Sequence, residues 1–202
     1  MPSQLLFLPG ALGRTELWEP VANRLTHPAK KIHFGWPGFG STPPDPQVHG
    51  MDDLVAKVVA QIDQPTALIA QSMGGVIAIR AALEKPGLVT HLILSVTSGG
   101  IDMRGLGAQD WRPSFHEANP SLPRWFSTYQ EDLTPSLPEL CIPTLLLWGD
   151  ADPISPIRVG QRLASLLPLA KLHIFSGGEH DLVSAFAPNV APLIDAHLIK
   201  AA

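Results

Sequence analysis

Three four-residue runs in this chain carry no polar side chain: Leu5-Leu6-Phe7-Leu8, Ala67-Leu68-Ile69-Ala70 and Leu145-Leu146-Leu147-Trp148. A strand with one wet face alternates apolar and polar residues. A strand that is apolar throughout is buried on both faces, as in the interior of a parallel sheet. Further strand-like runs at residues 31–34, 91–96 and 171–175 bring the expected total to six. Lys31-Ile32-His33-Phe34 and Lys171-Leu172-His173-Ile174 alternate instead, which predicts that these two strands lie at the sheet edges.

Helical patterns separate the strands. Leu54, Val55, Val58, Val59 and Ile62 repeat at helical spacing behind Asp52-Asp53, which is expected to cap them. Residues 73–84 are apolar on most sides and end at Pro86-Gly87, so this helix is expected to be sandwiched rather than surface-lying. Leu163, Leu166 and Leu167 follow Ser155-Pro156, read as an N-cap and a first-turn proline. A last helix is expected from Asn189, with Pro192 in its first turn. Strands alternating with helices predict an α/β fold: a mostly parallel sheet of about six strands with helices on both faces. At 202 residues the chain is expected to form one domain, 1–202, with the aperiodic stretch 99–142 as a short lid insertion.

Composition narrows the function classes. Charged residues make up 16% of the chain and its net charge is −4, without a Lys/Arg-rich run, which argues against a nucleic-acid or polybasic membrane partner. Cys141 is the single cysteine, so an internal disulfide and a multi-cysteine zinc site are excluded. No apolar run approaches the ~20 residues of a membrane span. The first ten residues lack a basic segment and reach Pro9-Gly10 early, so a cytoplasmic protein is expected.

The sharpest chemical signal is Ala70-Gln71-Ser72-Met73-Gly74-Gly75. A buried strand runs into a serine and a helix follows at once. Such a turn is tight, so the positions two before and two after the serine must be small, here Ala70 and Gly74. The hydroxyl is then presented at the carboxyl end of the sheet, over the free N–H groups of a helix N-terminus.

Other segments extend this pattern along nearly the whole chain. Phe7-Leu8-Pro9-Gly10-Ala11-Leu12-Gly13 with Trp18, Gly35-Trp36-Pro37-Gly38-Phe39-Gly40-Ser41, Leu147-Trp148-Gly149-Asp150-Ala151-Asp152-Pro153 and Gly177-Gly178-Glu179-His180 occur in that order. With the serine turn, they resemble the α/β-hydrolase family. The chain departs from the family where His-Gly is replaced by Pro9-Gly10, and where the serine turn begins with Ala70 instead of glycine. The resemblance implies a Ser72, Asp152, His180 triad in the family's chain order. A serine hydroxyl is a poor nucleophile at neutral pH and needs a base, the role His180 would fill, oriented by Asp152. The backbone N–H groups of Met73 and, from the resemblance, Ala11 would stabilise an oxyanion.

The expected activity is a serine hydrolase acting on a small-molecule carboxylic ester or thioester with an apolar acyl part, without a cofactor or metal. Carbon–carbon bond hydrolysis and cofactor-free perhydrolysis use the same triad. A slow-turnover ligand sensor would keep it too. Trp111, Phe115, Trp125, Phe126 and Tyr129 fall inside the lid of a chain whose aromatic content is only 6%. With Trp36 they are the candidate substrate-binding residues. Gly10 to Gly13 match neither nucleotide-loop spacing. His27, His33, His49, His91, His173 and His197 are expected at the surface, and Cys141 in or near the core. Asp150 is the rival acid; as a turn aspartate behind Gly149 it is expected to bond backbone N–H groups instead. Oligomeric state is not legible.

Overall fold

The computed structural model describes residues 1–199. In chain order the elements are β1 Gln4–Leu8, α1 Glu19–Ala22, β2 Lys30–His33, α2 Met51–Gln61, β3 Thr66–Gln71, α3 Met73–Glu84 and β4 Val89–Ser95. There follow α4 Arg112–Ala118, α5 Trp125–Thr128, β5 Thr144–Gly149, α6 Ile157–Leu166, β6 Ala170–Phe175, α7 Leu182–Ala185 and α8 Ala187–Leu198. The six strands form one parallel sheet in the order β2-β1-β3-β4-β5-β6.

The alternating strands β2 and β6 occupy the two edges, and every residue of β1, β3 and β5 is buried. Helices supply that cover: α3 packs on β3 and α2, α6 on β5 and β6, and α1 on α7 and α8. The chain leaves β1 for β2 on one side and returns to β3 on the other. Crevices outside the carboxyl ends of strands at such a reversal are where open α/β sheets bind ligands. Here the two strands are in register, with Leu8 opposite Ala70. The loops that follow them, Pro9-Gly10-Ala11 and Ser72, therefore meet.

Several local expectations shift. At α2 the N-cap is Gly50; Asp53 instead reaches back from the first turn to accept from the N–H groups of His49 (2.7 Å) and Gly50 (3.1 Å). Pro156 is the N-cap of α6, one residue later than Ser155. The last helix begins at Ala187, so Pro188 takes the first-turn place and Pro192 lies inside the helix. His91 and His197 are buried, because β4 is a central strand and α8 folds against its start; their rings meet edge-on at 5.3 Å. His27 is buried as well. Cys141 is exposed, since its neighbour Leu140 takes the buried position before β5.

The 99–142 stretch contains the short helices α4 and α5. Its base is closed where the Leu133 N–H donates to the Gly100 carbonyl at 2.9 Å, and Leu133, Leu137 and Leu140 are buried. The excursion from the body is therefore shorter than the aperiodic sequence. Among the described residues no helix is long and apolar enough to cross a membrane.

Candidate active site

Ser72 sits between β3 and α3 with φ 53° and ψ −120°, a left-handed backbone that costs a non-glycine residue on the order of 1–3 kcal/mol. The surroundings hold it there. Its N–H donates to the Ser95 carbonyl at 3.0 Å, and its carbonyl accepts from Gly75 N–H at 2.9 Å and the Thr97 hydroxyl at 2.6 Å. The turn is tight in the way the sequence requires: a Cβ on Gly74 would lie 2.6 Å from the Pro9 carbonyl oxygen and 2.7 Å from that of Leu8. Those carbonyls are themselves fixed by buried indoles. Trp18 Nε1–H donates to Leu8 (3.3 Å) and Trp36 Nε1–H to Pro9 (3.0 Å).

The loops after β5 and β6 bring in the other polar groups. Asp152 has a fully buried side chain, and its Oδ1 accepts from the N–H groups of Ile154 (2.8 Å) and Ser155 (3.2 Å). Its Oδ2 lies 2.7 Å from His180 Nδ1. His180 Nε2 lies 3.0 Å from Ser72 Oγ. An ionised carboxylate only accepts, so Nδ1 carries the ring proton and Nε2 is left to accept from the serine hydroxyl. The result is a continuous hydrogen-bonded chain from a buried anion to a hydroxyl at a helix N-terminus. Chemically, it can draw the hydroxyl proton toward the imidazole. Asp150 points elsewhere, accepting from Gly177 N–H at 2.6 Å, in the histidine loop rather than its own turn.

Ala11 and Met73 line the same cavity as Ser72 and His180. Among the described residues, neither backbone N–H donates within the protein. Two free N–H groups beside a hydroxyl can receive a developing negative charge.

The cavity has a volume of about 360 Å³, in the range of small-molecule sites. Trp111, Phe115, Phe126 and Tyr129 line it, with Phe126 at the centre of the aromatic cluster, stacked on Trp111 at 5.7 Å and edge-on to Phe115 at 5.4 Å. Trp125 is not among the lining residues. Trp125 and Phe126 both pack edge-on against Phe39, at 5.6 and 5.5 Å, but only Phe126 also reaches the cavity. Trp36 does not line the cavity either; it is fully buried under Pro9.

Sequence reasoning missed Met51 and Met103 and used Met73 only for its backbone N–H; the flexible side chains of these three of the four methionines complete the wall. It also missed Gln71 and Thr97, and only the position of Gln71 beside the serine signalled the first. Arg112, at the cavity, bonds Asp110, whose carboxyl is held below its ordinary range first by the Arg112 backbone N–H and then by its guanidinium. Among the described residues no cluster of His, Cys, Asp or Glu is arranged to hold a metal ion.

Comparison with known proteins agrees with this architecture. A pimeloyl-[acyl-carrier protein] methyl ester esterase of Legionella pneumophila is 25% identical over 201 residues, covering 82% of each chain. Bromoperoxidase from Bacillus anthracis superposes with a TM-score of 0.82 at 16% identity, over 99% of this chain and 93% of its own. A thermophilic esterase from Thermogutta terrifontis gives a TM-score of 0.78 at 20% identity, over 96% of this chain and 89% of its own. The family model described as alpha/beta hydrolase matches residues 5–140, two thirds of the chain and the part that carries the serine turn, and on that match the chain belongs to the alpha/beta hydrolase family.

Proposed function

We propose that this hydrolase cleaves a carboxylic ester or thioester with an apolar acyl part, using Ser72 as nucleophile, His180 as general base and Asp152 to orient it. The observation that carries this reading is the unbroken Asp152–His180–Ser72 hydrogen-bond chain opening into an apolar cavity. The Ser72 oxygen attacks the substrate carbonyl carbon as its proton passes to His180 Nε2. Negative charge collects on the carbonyl oxygen, where the N–H groups of Ala11 and Met73 receive it. Collapse expels the alcohol or thiol, which takes the proton from His180 and leaves an acyl-serine. Water, deprotonated by the same imidazole, then releases the acid. The Legionella relative, named as a methyl ester esterase, supports an ester over other acyl compounds.

The test is fluorophosphonate labelling read by intact mass and peptide mapping, followed by p-nitrophenyl esters of graded acyl length. One adduct on Ser72 and fast turnover of esters that fit the cavity are expected, with both lost in Ser72→Ala. An adduct without turnover of any ester or thioester would replace the esterase reading by that of a ligand sensor. Esterase activity retained by Ser72→Ala would remove Ser72 as nucleophile.

A further inference from the structure

Gln71 closes β3 immediately before Ser72, and only 6% of it is exposed. Its Nε2–H donates to the backbone carbonyl of His180 across 2.9 Å, linking residues 109 apart in the chain. Its Oε1 lies 2.3 Å from where Gly10 would carry a Cβ. One carboxamide therefore touches the loop after β1 and the loop after β6, from a strand that ends in the nucleophile.

The rest of the histidine loop is anchored from the other side. Gly177 N–H donates to Asp150 Oδ1 at 2.6 Å, and Ala151 N–H donates to the Gly178 carbonyl at 3.0 Å. Both bonds tie the loop to the segment after β5, and both lie before His180. At His180 itself the ring is held by Asp152. Among the described residues, Gln71 is the donor that reaches its main-chain carbonyl. A ring held by one carboxylate can swing about that bond. Fixing the main chain as well removes this freedom and sets how far Nε2 stands from Ser72 Oγ, now 3.0 Å.

We infer that Gln71 is a positioning residue. Its carboxamide ties the histidine's main chain to the nucleophile's own strand, and it fills the space a side chain at position 10 would take. The inference rests on the Ser72–His180–Asp152 reading above. A misplacement of an ångström at a reacting pair costs up to about 10²-fold in rate, which is the scale at which such a tether acts.

The experiment compares wild type with Gln71→Met and Gln71→Glu. It measures kcat and KM on a p-nitrophenyl ester, the rate of Ser72 fluorophosphonate labelling, the pH dependence of kcat/KM and the melting temperature. Gln71→Met keeps length and volume but has no donor. Its kcat is expected to fall between about tenfold and 10²-fold, with labelling slowed in parallel, KM little changed and the melting temperature lowered only by the loss of one part-buried hydrogen bond. Gln71→Glu keeps the shape but, once ionised, turns an anion toward the histidine loop and favours the imidazolium. The acidic limb of its profile is expected to move to higher pH than in wild type.

Wild-type kcat and labelling in a folded Gln71→Met would overturn the inference while leaving the triad standing. If the Met variant does not fold, an unmoved acidic limb in Gln71→Glu overturns it. Loss of folding in both variants would assign Gln71 to the fold alone and overturn it too. An unlabelled Ser72 in wild type is a different failure, which sinks the triad reading beneath it.

Discussion

The Thr97 hydroxyl donates to the Ser72 carbonyl at 2.6 Å and at the same time accepts from the Gly99 N–H at 3.0 Å. The segment just after β4 thus braces the strained turn at the end of β3 through one buried side chain. Thr97→Val has nearly the same shape but removes the donor and leaves the Gly99 N–H without its acceptor. A loss of about 1–3 kcal/mol is expected, the ordinary cost of an unsatisfied buried group, together with reduced kcat as Ser72 relaxes. Thr97→Ser restores the hydroxyl and should recover most of the kcat. Thermal melts and steady-state kinetics on the pair decide it; a Val variant equal to wild type in both would show that the turn needs no brace from the segment after β4.

Gly149 makes a second prediction, because the acid and histidine loops cross at its Cα. A Cβ there would lie 2.0 Å from the Gly178 carbonyl oxygen and 2.3 Å from its carbon, both backbone atoms that cannot swing away. Gly149→Ala must push the two loops apart, and Asp152 and His180 ride on them. Overpacking of this kind costs about 1–3 kcal/mol. The variant is expected to be less stable and at least tenfold less active, with labelling of Ser72 slowed as well. Unchanged labelling would mean that the loops separate without disturbing the histidine.

Those two contacts mark the boundary of what could be read from the chain. The edge strands were legible because Lys31 and Lys171 alternate with apolar neighbours, and α3 was legible to the residue because its start is dictated by the serine turn and its end by Pro86-Gly87. The strand–serine–helix turn was visible because its crowding demands Ala70 and Gly74. Gln71 is marked only by its place beside the serine and Thr97 by nothing local: each acts on a backbone atom supplied by another loop, and only the strand order brings those atoms within reach. The two tryptophans that do not line the cavity show the same limit. Trp36 and Trp125 have the composition of a binding wall, yet their directions depend on Pro9 and Phe39, which neither spacing nor composition can specify. His91 is buried for a related reason, since its place on a central strand is a property of the sheet order.

Arg80 on α3 links the 99–142 segment to the body. Its guanidinium pairs with Asp52 at 2.6 Å and Glu131 at 3.4 Å, and donates to the Tyr129 hydroxyl, which in turn donates to Glu131. Asp52 is largely exposed, so its share is screened, and the network contributes on the order of 1 kcal/mol. Arg80→Met should therefore lower stability only slightly while freeing Tyr129 from its place on the cavity wall. Faster proteolytic cleavage between residues 101 and 132 is expected, with a raised KM for apolar esters. Cleavage rates matching wild type would show that Phe126 and Leu133 hold this segment without the ion pairs.

The two aspartates after β5 offer the sharpest separation of roles. Both are carboxylates two residues apart, and both bond the histidine loop, but at different atoms. Asp152 accepts a hydrogen bond from the ring Nδ1–H of His180 at 2.7 Å and is itself held by two backbone N–H groups. Asp150 takes the backbone N–H of Gly177 at 2.6 Å and leaves the ring untouched. In Asp152→Asn the amide can still fill the space. It no longer offers an anion to the imidazolium, and it can present N–H instead, which would reverse the tautomer and leave Nε2 protonated against the serine. Turnover is expected to fall by about 10³-fold or more, with a modest change in melting temperature. Asp150→Asn keeps an oxygen for Gly177 and loses only its charge, so a loss of about 1 kcal/mol and near-normal turnover per folded molecule are expected. Measuring kcat on folded protein beside a thermal melt for each variant reads both axes at once. A stable but inactive Asp150→Asn beside an active Asp152→Asn would transfer the orienting role to Asp150 and require the histidine ring to turn away from its partner in this structure.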